Sequence, residues 1–263
     1  MADAAVLQDE YLVPSPELID QVRVGRGDFR QIGDAMLRRF TSKGWLKPDF
    51  TFLDIGCGLG RLARPLVPYL TKGRYIGFDI NRTSIDWCNE KYRDIPSFEF
   101  HHVDAQSVVY NPNGSREADT VRFPLPDASV DFINMSSVFT HMWPKDVQAY
   151  LHECYRLLKP GARCWISYFL WDPLSKMRID PTNCEEPLLW QKNWTAIEGG
   201  YLRYKDKPED VVLLDETLVR QMYANAGLLA ISSTYGGWNR LTRGTEGGDA
   251  LGQDEIEAIR PQQ

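Results

Sequence analysis

Short apolar runs alternate with amphipathic segments from about residue 50 to residue 171. The apolar runs predict strands at residues 50–55, 74–80, 97–103, 130–135 and 162–169. Between them, apolar residues spaced three and four apart predict helices at residues 59–70, 81–93 and 143–158. Because parallel strands need a crossover between them, usually a helix, this alternation predicts an α/β fold. We expect a parallel sheet with helices on both of its faces.

The two ends of the chain have different patterns. Residues 28–43 have apolar positions at helical spacing, and an irregular segment with prolines and glycines, residues 11–27, precedes them. Residues 172–213 are rich in proline and aromatic residues without a clear period, which is typical of a lid or of a subunit contact. A helix at 215–226 and strands at 228–235 and 254–259 follow. We therefore predict an N-terminal helical cap over residues 1–48 and one domain over residues 49–263, with a lid insertion at residues 172–213.

Composition narrows the class of protein. The chain has 263 residues, of which 43% are hydrophobic and 25% charged, and its formal net charge is −6. This is an ordinary globular mixture without the basic footprint of a nucleic-acid binder. No apolar run reaches the roughly 18–20 residues that cross a bilayer, and the first ten residues lack the basic region of a secretory signal. The five cysteines are odd in number and form no C-x-x-C pair, which favours the reducing cytoplasm.

A glycine-rich turn joins the first predicted strand to the next helix, and it reads Asp54-Ile55-Gly56-Cys57-Gly58-Leu59-Gly60-Arg61. Glycines let a backbone turn tightly and approach a ligand closely. A dinucleotide-binding turn reads G-x-G-x-x-G, and Arg61 stands where its third glycine belongs, which disfavours an NAD-dependent oxidoreductase. Asp79 ends the second strand, where a carboxylate accepts hydrogen bonds from ribose hydroxyls. Asp104 ends the third strand, in a position to accept from an adenine amino group.

Together these features resemble the class I S-adenosylmethionine-dependent methyltransferases over about residues 50–170. The motifs that carry the resemblance are the glycine-rich turn at 53–60, Gly-Phe-Asp-Ile at 77–80, His-Val-Asp-Ala at 102–105, Phe-Pro-Leu-Pro-Asp-Ala-Ser-Val-Asp at 123–131 and Arg-Leu-Leu-Lys-Pro-Gly-Ala at 156–162. The family usually has a second glycine where this chain has Ala162. The resemblance implies a Rossmann-like, mostly parallel sheet of seven strands with helices on both faces and an antiparallel last strand, and S-adenosylmethionine as the cofactor.

The resemblance also implies roles for individual residues toward that cofactor. The turn formed by Gly56, Cys57, Gly58 and Gly60 would cradle the methionine end, and Asp54 would hold its amino group. Asp79, with Ile80 beside it, would bind the ribose. Asp104 and the backbone of Ala105 would bind the adenine, and Ser136 belongs to the segment that would pass the sulfonium.

The segment after the fourth strand bears on the methyl acceptor. Asn134-Met135-Ser136-Ser137 lacks the Asn/Asp-Pro-Pro-aromatic turn of N6-adenine methyltransferases and their relatives. Only Asp146 lies where metal-dependent O-methyltransferases have several carboxylates. We therefore predict a small-molecule acceptor methylated on a hydroxyl oxygen, with no nucleic acid, membrane or metal, and we leave a homo-oligomer open. His141, in the loop after this strand, is the candidate general base.

Two alternatives to an O-methyltransferase stay open at this point. A catalytically silent S-adenosylmethionine-binding regulator or scaffold would need the same cofactor-binding residues. An N- or C-methyltransferase would share the fold and the cofactor and differ only in the acceptor atom.

Overall fold

In the described part of the chain, the architecture is built from eleven strands. They are β1 (Thr51–Ile55), β2 (Arg74–Asp79), β3 (Phe98–His102), β4 (Val130–Met135), β5 (Leu158–Tyr168), β6 (Leu170–Trp171), β7 (Thr195–Ile197), β8 (Gly200–Leu202), β9 (Val212–Asp215), β10 (Leu229–Thr234) and β11 (Asp254–Ile259). These bounds come from a computed structural model that describes residues 9–23, 27–172, 194–238 and 252–262.

Seven of the strands form one sheet, in the order β10-β11-β5-β4-β1-β2-β3. The pairs from β5 through β4, β1 and β2 to β3 are parallel, whereas β11 runs antiparallel to both β5 and β10. The last strand in the chain is therefore the antiparallel one. The predicted fold class is confirmed.

The helices are α1 (Pro16–Gln21), α2 (Phe29–Ser42), α3 (Ala63–Leu66), α4 (Arg82–Lys91), α5 (Pro144–Leu157) and α6 (Glu216–Ala226). Four of these begin after a residue whose side chain accepts a free N–H group of the first turn. Ser15, Asp28, Asn81 and Asp215 cap α1, α2, α4 and α6. Gly227 ends α6 with a φ of 82°, the left-handed conformation that glycine adopts without strain. Within the described ranges, no helix is long and apolar enough to cross a membrane.

Three predicted boundaries were wrong. The predicted helix at 59–70 is reduced to α3, because Pro65 has no N–H to donate and turns flank it on both sides. The irregular segment at 11–27 contains α1, which the Ser15-Pro16 pair begins as cap and first helical residue. Strand β5 starts at Leu158, directly after α5, and runs through Pro160.

The sheet is apolar on both faces because alternate side chains of each strand point to opposite sides. Phe52 and Phe132 stack at 5.3 Å between their ring centroids in the core that α2 covers, where Phe40 meets them. Their neighbours Leu53 and Ile133 belong to the core on the other side, with α5 and α6. Burial on both faces is what the continuous apolar runs predicted.

The other four strands form a second sheet, in the order β6-β9-β8-β7. Strands β7 and β8 and the start of β9 lie in the described part of the predicted lid, and Leu213 of β9 packs with Trp171 and Trp238. Residues 173–193 of that predicted lid lie outside the described residues, as does Cys184. The domain boundaries and the lid role of residues 172–213 stay predictions.

Candidate functional site

A cavity of about 540 Å³ opens at the carboxyl ends of β1, β2 and β4. Open parallel sheets bind ligands at this edge, where the strand order reverses on either side of β1. Predicted site residues from several segments meet on its wall. They are Asp54, Gly56, Gly58, Asp79, Ile80, Ala105, Ser136 and His141.

The glycine-rich turn forms the floor of the cavity. The N–H groups of Gly56 and Cys57 both donate to the carbonyl of Phe78, at 2.7 and 3.1 Å, and this fixes the turn against β2. Gly56 has a φ of 77°, and a Cβ there would lie 2.3 Å from Cγ2 of Val138. Any side chain at Gly56 would therefore collide with the loop after β4.

Two predicted residues of this turn do not face the cavity. Gly60 and Cys57 are absent from its wall, and the Cys57 sulfur would lie 2.9 Å from a Cβ on Gly77. Burial raises the pKa of the Cys57 thiol, so it stays protonated and is no nucleophile. Both residues therefore act on the shape of the turn.

Asp79 links the turn to the start of α4. Its two carboxylate oxygens accept the N–H groups of Gly58 and Asn81, each at 2.7 Å. Burial raises the pKa of Asp79, and these two backbone donors oppose the rise. Asp79 lines the cavity and each of its oxygens can accept a further hydrogen bond, so a diol can still donate to it.

Asp54 lies deeper, at the end of β1. The Tyr75 hydroxyl donates to it at 2.6 Å and the Asn134 amide at 2.7 Å. Burial raises the pKa of Asp54 to about 6, and these two hydrogen bonds hold it from rising further. A buried carboxylate with an open side toward the cavity is suited to an ammonium group.

Asp104 is not brought to the cavity wall, although its neighbour Ala105 is. One Asp104 oxygen accepts from the hydroxyl of Ser115 at 2.5 Å, and the other from the amide of Asn111 at 3.3 Å. These bonds lower the pKa of Asp104. The carboxylate is therefore occupied with the connection between β3 and β4.

His141 lies on the wall in a short 3-10 helix, Phe139–His141, after β4. Its Nδ1 is 2.9 Å from the carbonyl of Glu209, which can only accept, so Nδ1 carries the proton. The bare Nε2 then accepts from the Tyr110 hydroxyl, 3.3 Å away. Burial lowers the pKa of His141, which keeps the ring neutral near pH 7.

Sequence reasoning did not place three further residues on the cavity wall, where the structure has them: Tyr110, Glu209 and Asp146. The carboxylate of Glu209 accepts from the hydroxyl of Ser107 at 2.6 Å and from the N–H of Val108 at 2.8 Å. Tyr110 and Glu209 lie in aperiodic segments, so no pattern singled them out. The sequence singles out Asp146 only as a lone carboxylate at the place of a metal site.

The charges on the wall suit a cationic ligand with hydroxyl groups. Five acids line it, Asp54, Asp79, Asp146, Glu209 and Asp210, against the guanidinium groups of Arg23 and Arg61. A pyrophosphate would meet this acidic wall unfavourably. Among the described residues, no group of three or more histidines, cysteines or acids is placed to hold a metal ion.

Residues 53–166 match a protein family described as a methyltransferase domain. A fatty-acid O-methyltransferase of Mycolicibacterium smegmatis is 30% identical over 120 residues, 45% of this chain and 35% of the relative. A tRNA N(3)-cytidine methyltransferase of Gallus gallus is 24% identical over 140 residues, 52% of this chain and 35% of the relative. The chain spans less than half the length of the first curated relatives it matches.

The fold has solved counterparts. The magnesium protoporphyrin IX methyltransferase of Synechocystis, crystallised with bound S-adenosylhomocysteine, superposes with a TM-score of 0.55. The match covers 98% of this chain and 100% of that one at 14% sequence identity. At that identity the likeness concerns the fold alone.

Proposed function

We propose that this chain, whose residues 53–166 match a methyltransferase domain, is a class I S-adenosylmethionine-dependent methyltransferase that methylates a hydroxyl oxygen of a small molecule. The bound cofactor supplies an electrophilic methyl group on a positive sulfur. The observation that carries the proposal is His141: a neutral imidazole on the cavity wall whose Nε2 bears the lone pair. A methyl transfer to oxygen needs such a proton acceptor more than a transfer to a neutral amine does.

The residues on the wall have separable tasks in this proposal. Asp79 accepts from the ribose hydroxyls while its backbone donors hold it in place. Asp54 accepts from the amino group of the methionine end. The glycine-rich turn lets the backbone approach that end of the cofactor, because no side chain stands between them. Nε2 of His141 would take the proton of the acceptor hydroxyl in a reaction for which the cofactor would supply the methyl group, with S-adenosylhomocysteine as the leaving group. The Glu209 carbonyl keeps the ring in the required tautomer.

Two observations support a small molecule over a nucleic acid. The net charge of −6 and the acids on the wall would repel a phosphate backbone. A cavity of about 540 Å³ lies in the range of ordinary small-molecule sites. The fatty-acid O-methyltransferase among the relatives favours oxygen as the methylated atom.

The contact between Nε2 and Tyr110 favours a second candidate, a cofactor-binding protein without catalysis. If no acceptor displaces the Tyr110 hydroxyl, the proton acceptor stays occupied.

Methyl-labelled S-adenosylmethionine, offered with panels of aliphatic acids, phenols, alcohols and amines, tests the two candidates. We expect label in an ether or ester, in the presence of EDTA, and none in the amines. Label in an amine or in carbon contradicts oxygen as the target. S-adenosylhomocysteine binding without transfer to any panel supports the silent protein, and absence of binding contradicts both.

Binding of S-adenosylhomocysteine is expected to weaken as the pH falls through about 6. Burial raises the pKa of Asp54 to about 6, so below that pH the carboxyl is protonated and must lose its proton to meet the ammonium group. Affinity should fall by up to about tenfold per pH unit below this point. Burial also raises the pKa of Asp146 to about 6 and raises the pKa of Asp79. Protonation of these two acids would therefore weaken binding in the same direction.

Calorimetry between pH 5 and pH 8 measures this dependence, and Asp54→Asn is the matched variant. The variant should bind more weakly at pH 8 and show a flatter profile. A wild-type affinity that is constant down to pH 5 contradicts the role given to Asp54.

A further inference from the structure

A residue with an unusual backbone conformation begins the loop that carries His141. Ser137 is the second residue after β4, lines the cavity and has a φ of 57°. This left-handed conformation is strained for a residue other than glycine, so contacts around Ser137 must hold it in place. Such residues concentrate at functional sites, and the contacts that hold Ser137 are therefore candidates for a role in the reaction.

Two buried side chains from other segments hold Ser137. The N–H of Ser137 donates to the hydroxyl of Ser167 in β5 at 2.8 Å. The Ser167 hydroxyl donates in turn to the side-chain oxygen of Gln253, directly before β11, at 2.6 Å. The Ser137 hydroxyl lies 2.7 Å from the Gln253 amide nitrogen and 3.0 Å from its oxygen, which closes a ring of hydrogen bonds. Ser167 is fully buried and Gln253 is 6% exposed, so their apolar surroundings strengthen these bonds.

The conformation of Ser137 determines where the next residues lie. Val138 packs over the glycine-rich turn, where its Cγ2 leaves no room for a Cβ on Gly56. The Val138 carbonyl accepts the N–H of His141 at 3.0 Å, at the end of the 3-10 helix. A rotation about the Ser137 backbone would therefore move Val138 off the turn. The same rotation would carry His141 away from the Glu209 carbonyl, to which its Nδ1 donates.

We propose that Gln253 is a positioning residue for the general base. Through Ser137 and Ser167, it holds the loop after β4 in the conformation that keeps His141 on the cavity wall. This role rests on the proposed function, because it affects turnover only if His141 takes the proton. Gln253 lines the cavity as well, so a direct contact with the acceptor is the rival role.

Gln253→Met tests the role, because methionine has a similar length and flexibility but no amide. We expect kcat with an acceptor identified by methyl labelling to fall by about 10–10²-fold, since small displacements of a reacting group are costly. Affinity for S-adenosylhomocysteine should change little, because the Phe78 carbonyl still fixes the glycine-rich turn. Gln262→Met, the same substitution at an exposed position after β11, is the control and should behave like the wild type.

A second substitution separates positioning from direct contact. Glycine adopts the left-handed conformation without strain, so a glycine at position 137 does not need the Gln253 amide to hold it. In the double variant Gln253→Met, Ser137→Gly, kcat should rise at least about fivefold above that of Gln253→Met. If the double variant is no faster than Gln253→Met, the amide acts on the acceptor directly and the proposal is overturned.

The titration of His141 gives a readout that needs neither cofactor nor acceptor. Burial lowers the pKa of this imidazole. The titratable groups that face the ring, Tyr110 and Asp210, lie on other segments, and the substitution leaves them unchanged. In Gln253→Met the released loop exposes the ring, so the pKa of His141 should rise toward about 6.5, and Ser137→Gly should lower it again. Proton NMR of the four histidines measures the shift, with His141→Asn to assign the signal.

The two readouts separate this proposal from its premise. An unchanged pKa of His141 in Gln253→Met overturns the positioning role alone. A pKa that rises as expected, with wild-type turnover in His141→Asn, contradicts the proposed function alone. Thermal melts report the folding of each variant. If Gln253→Met does not fold, Ser137→Ala, which keeps Gln253 and removes the hydroxyl that it contacts, gives the same comparison against Ser137→Gly.

Discussion

Replacement of Asp79 by alanine is expected to weaken binding of S-adenosylhomocysteine by at least tenfold. The variant loses the carboxylate that accepts from the two ribose hydroxyls, and hydrogen bonds to charged groups contribute about 1.5–3 kcal/mol each. It also leaves the N–H groups of Gly58 and Asn81 without their acceptor, which loosens the glycine-rich turn. Calorimetry of the purified variant measures the loss.

Asp86→Ala is the matched control for this experiment, because Asp86 is an exposed acid on the neighbouring helix α4. It should bind like the wild type. An Asp79→Ala variant that melts like the wild type and binds with the same affinity would show that the ribose is held elsewhere.

Replacement of His141 by asparagine is expected to lower kcat by about 10²–10⁴-fold, with cofactor affinity nearly unchanged. Asparagine keeps a polar group beside the Glu209 carbonyl but cannot take the acceptor's proton. Steady-state kinetics with an acceptor identified by methyl labelling measures the effect. His152→Asn, on the exposed face of α5, is the control. Turnover within about threefold of the wild type contradicts the general-base role.

Tyr110→Phe shows how the proton reaches His141. The 3.3 Å contact between the Tyr110 hydroxyl and Nε2 is long for a hydrogen bond, so we expect an acceptor hydroxyl to displace it. In that case the variant keeps kcat within about threefold. Burial raises the pKa of Tyr110 to about 12, so the phenol is not itself the base at neutral pH. A large drop in kcat would show that the proton passes through Tyr110.

The parts of the site that the sequence predicted are those in which a local pattern determines the position. Apolar runs set the strands, and the carboxyl ends of parallel strands bring Asp54, Asp79 and Ser136 together. The glycines of the turn are required by the positive φ at Gly56, Gly58 and Gly60, which the tight turn after β1 imposes.

The parts that it did not predict depend on packing between distant segments. The partners of Asp104 lie in an aperiodic connection, and nothing in the local sequence indicates that Ser115 folds back onto it. Asp146 has the ordinary position of a first-turn acid, and its burial arises from the contact of α5 with the 3-10 helix before β4. The bond from His141 to Glu209 ends on a backbone carbonyl, which every residue has.

Glu209 joins two parts of the cavity wall, because its side chain and its backbone contact different segments. Its carboxylate anchors the segment around residue 209 to Ser107 and Val108, while its backbone carbonyl sets the His141 tautomer. The segment cannot swing away from that wall without releasing the imidazole in the same movement. If this segment moves away from the wall, the imidazole therefore loses the contact that fixes its tautomer.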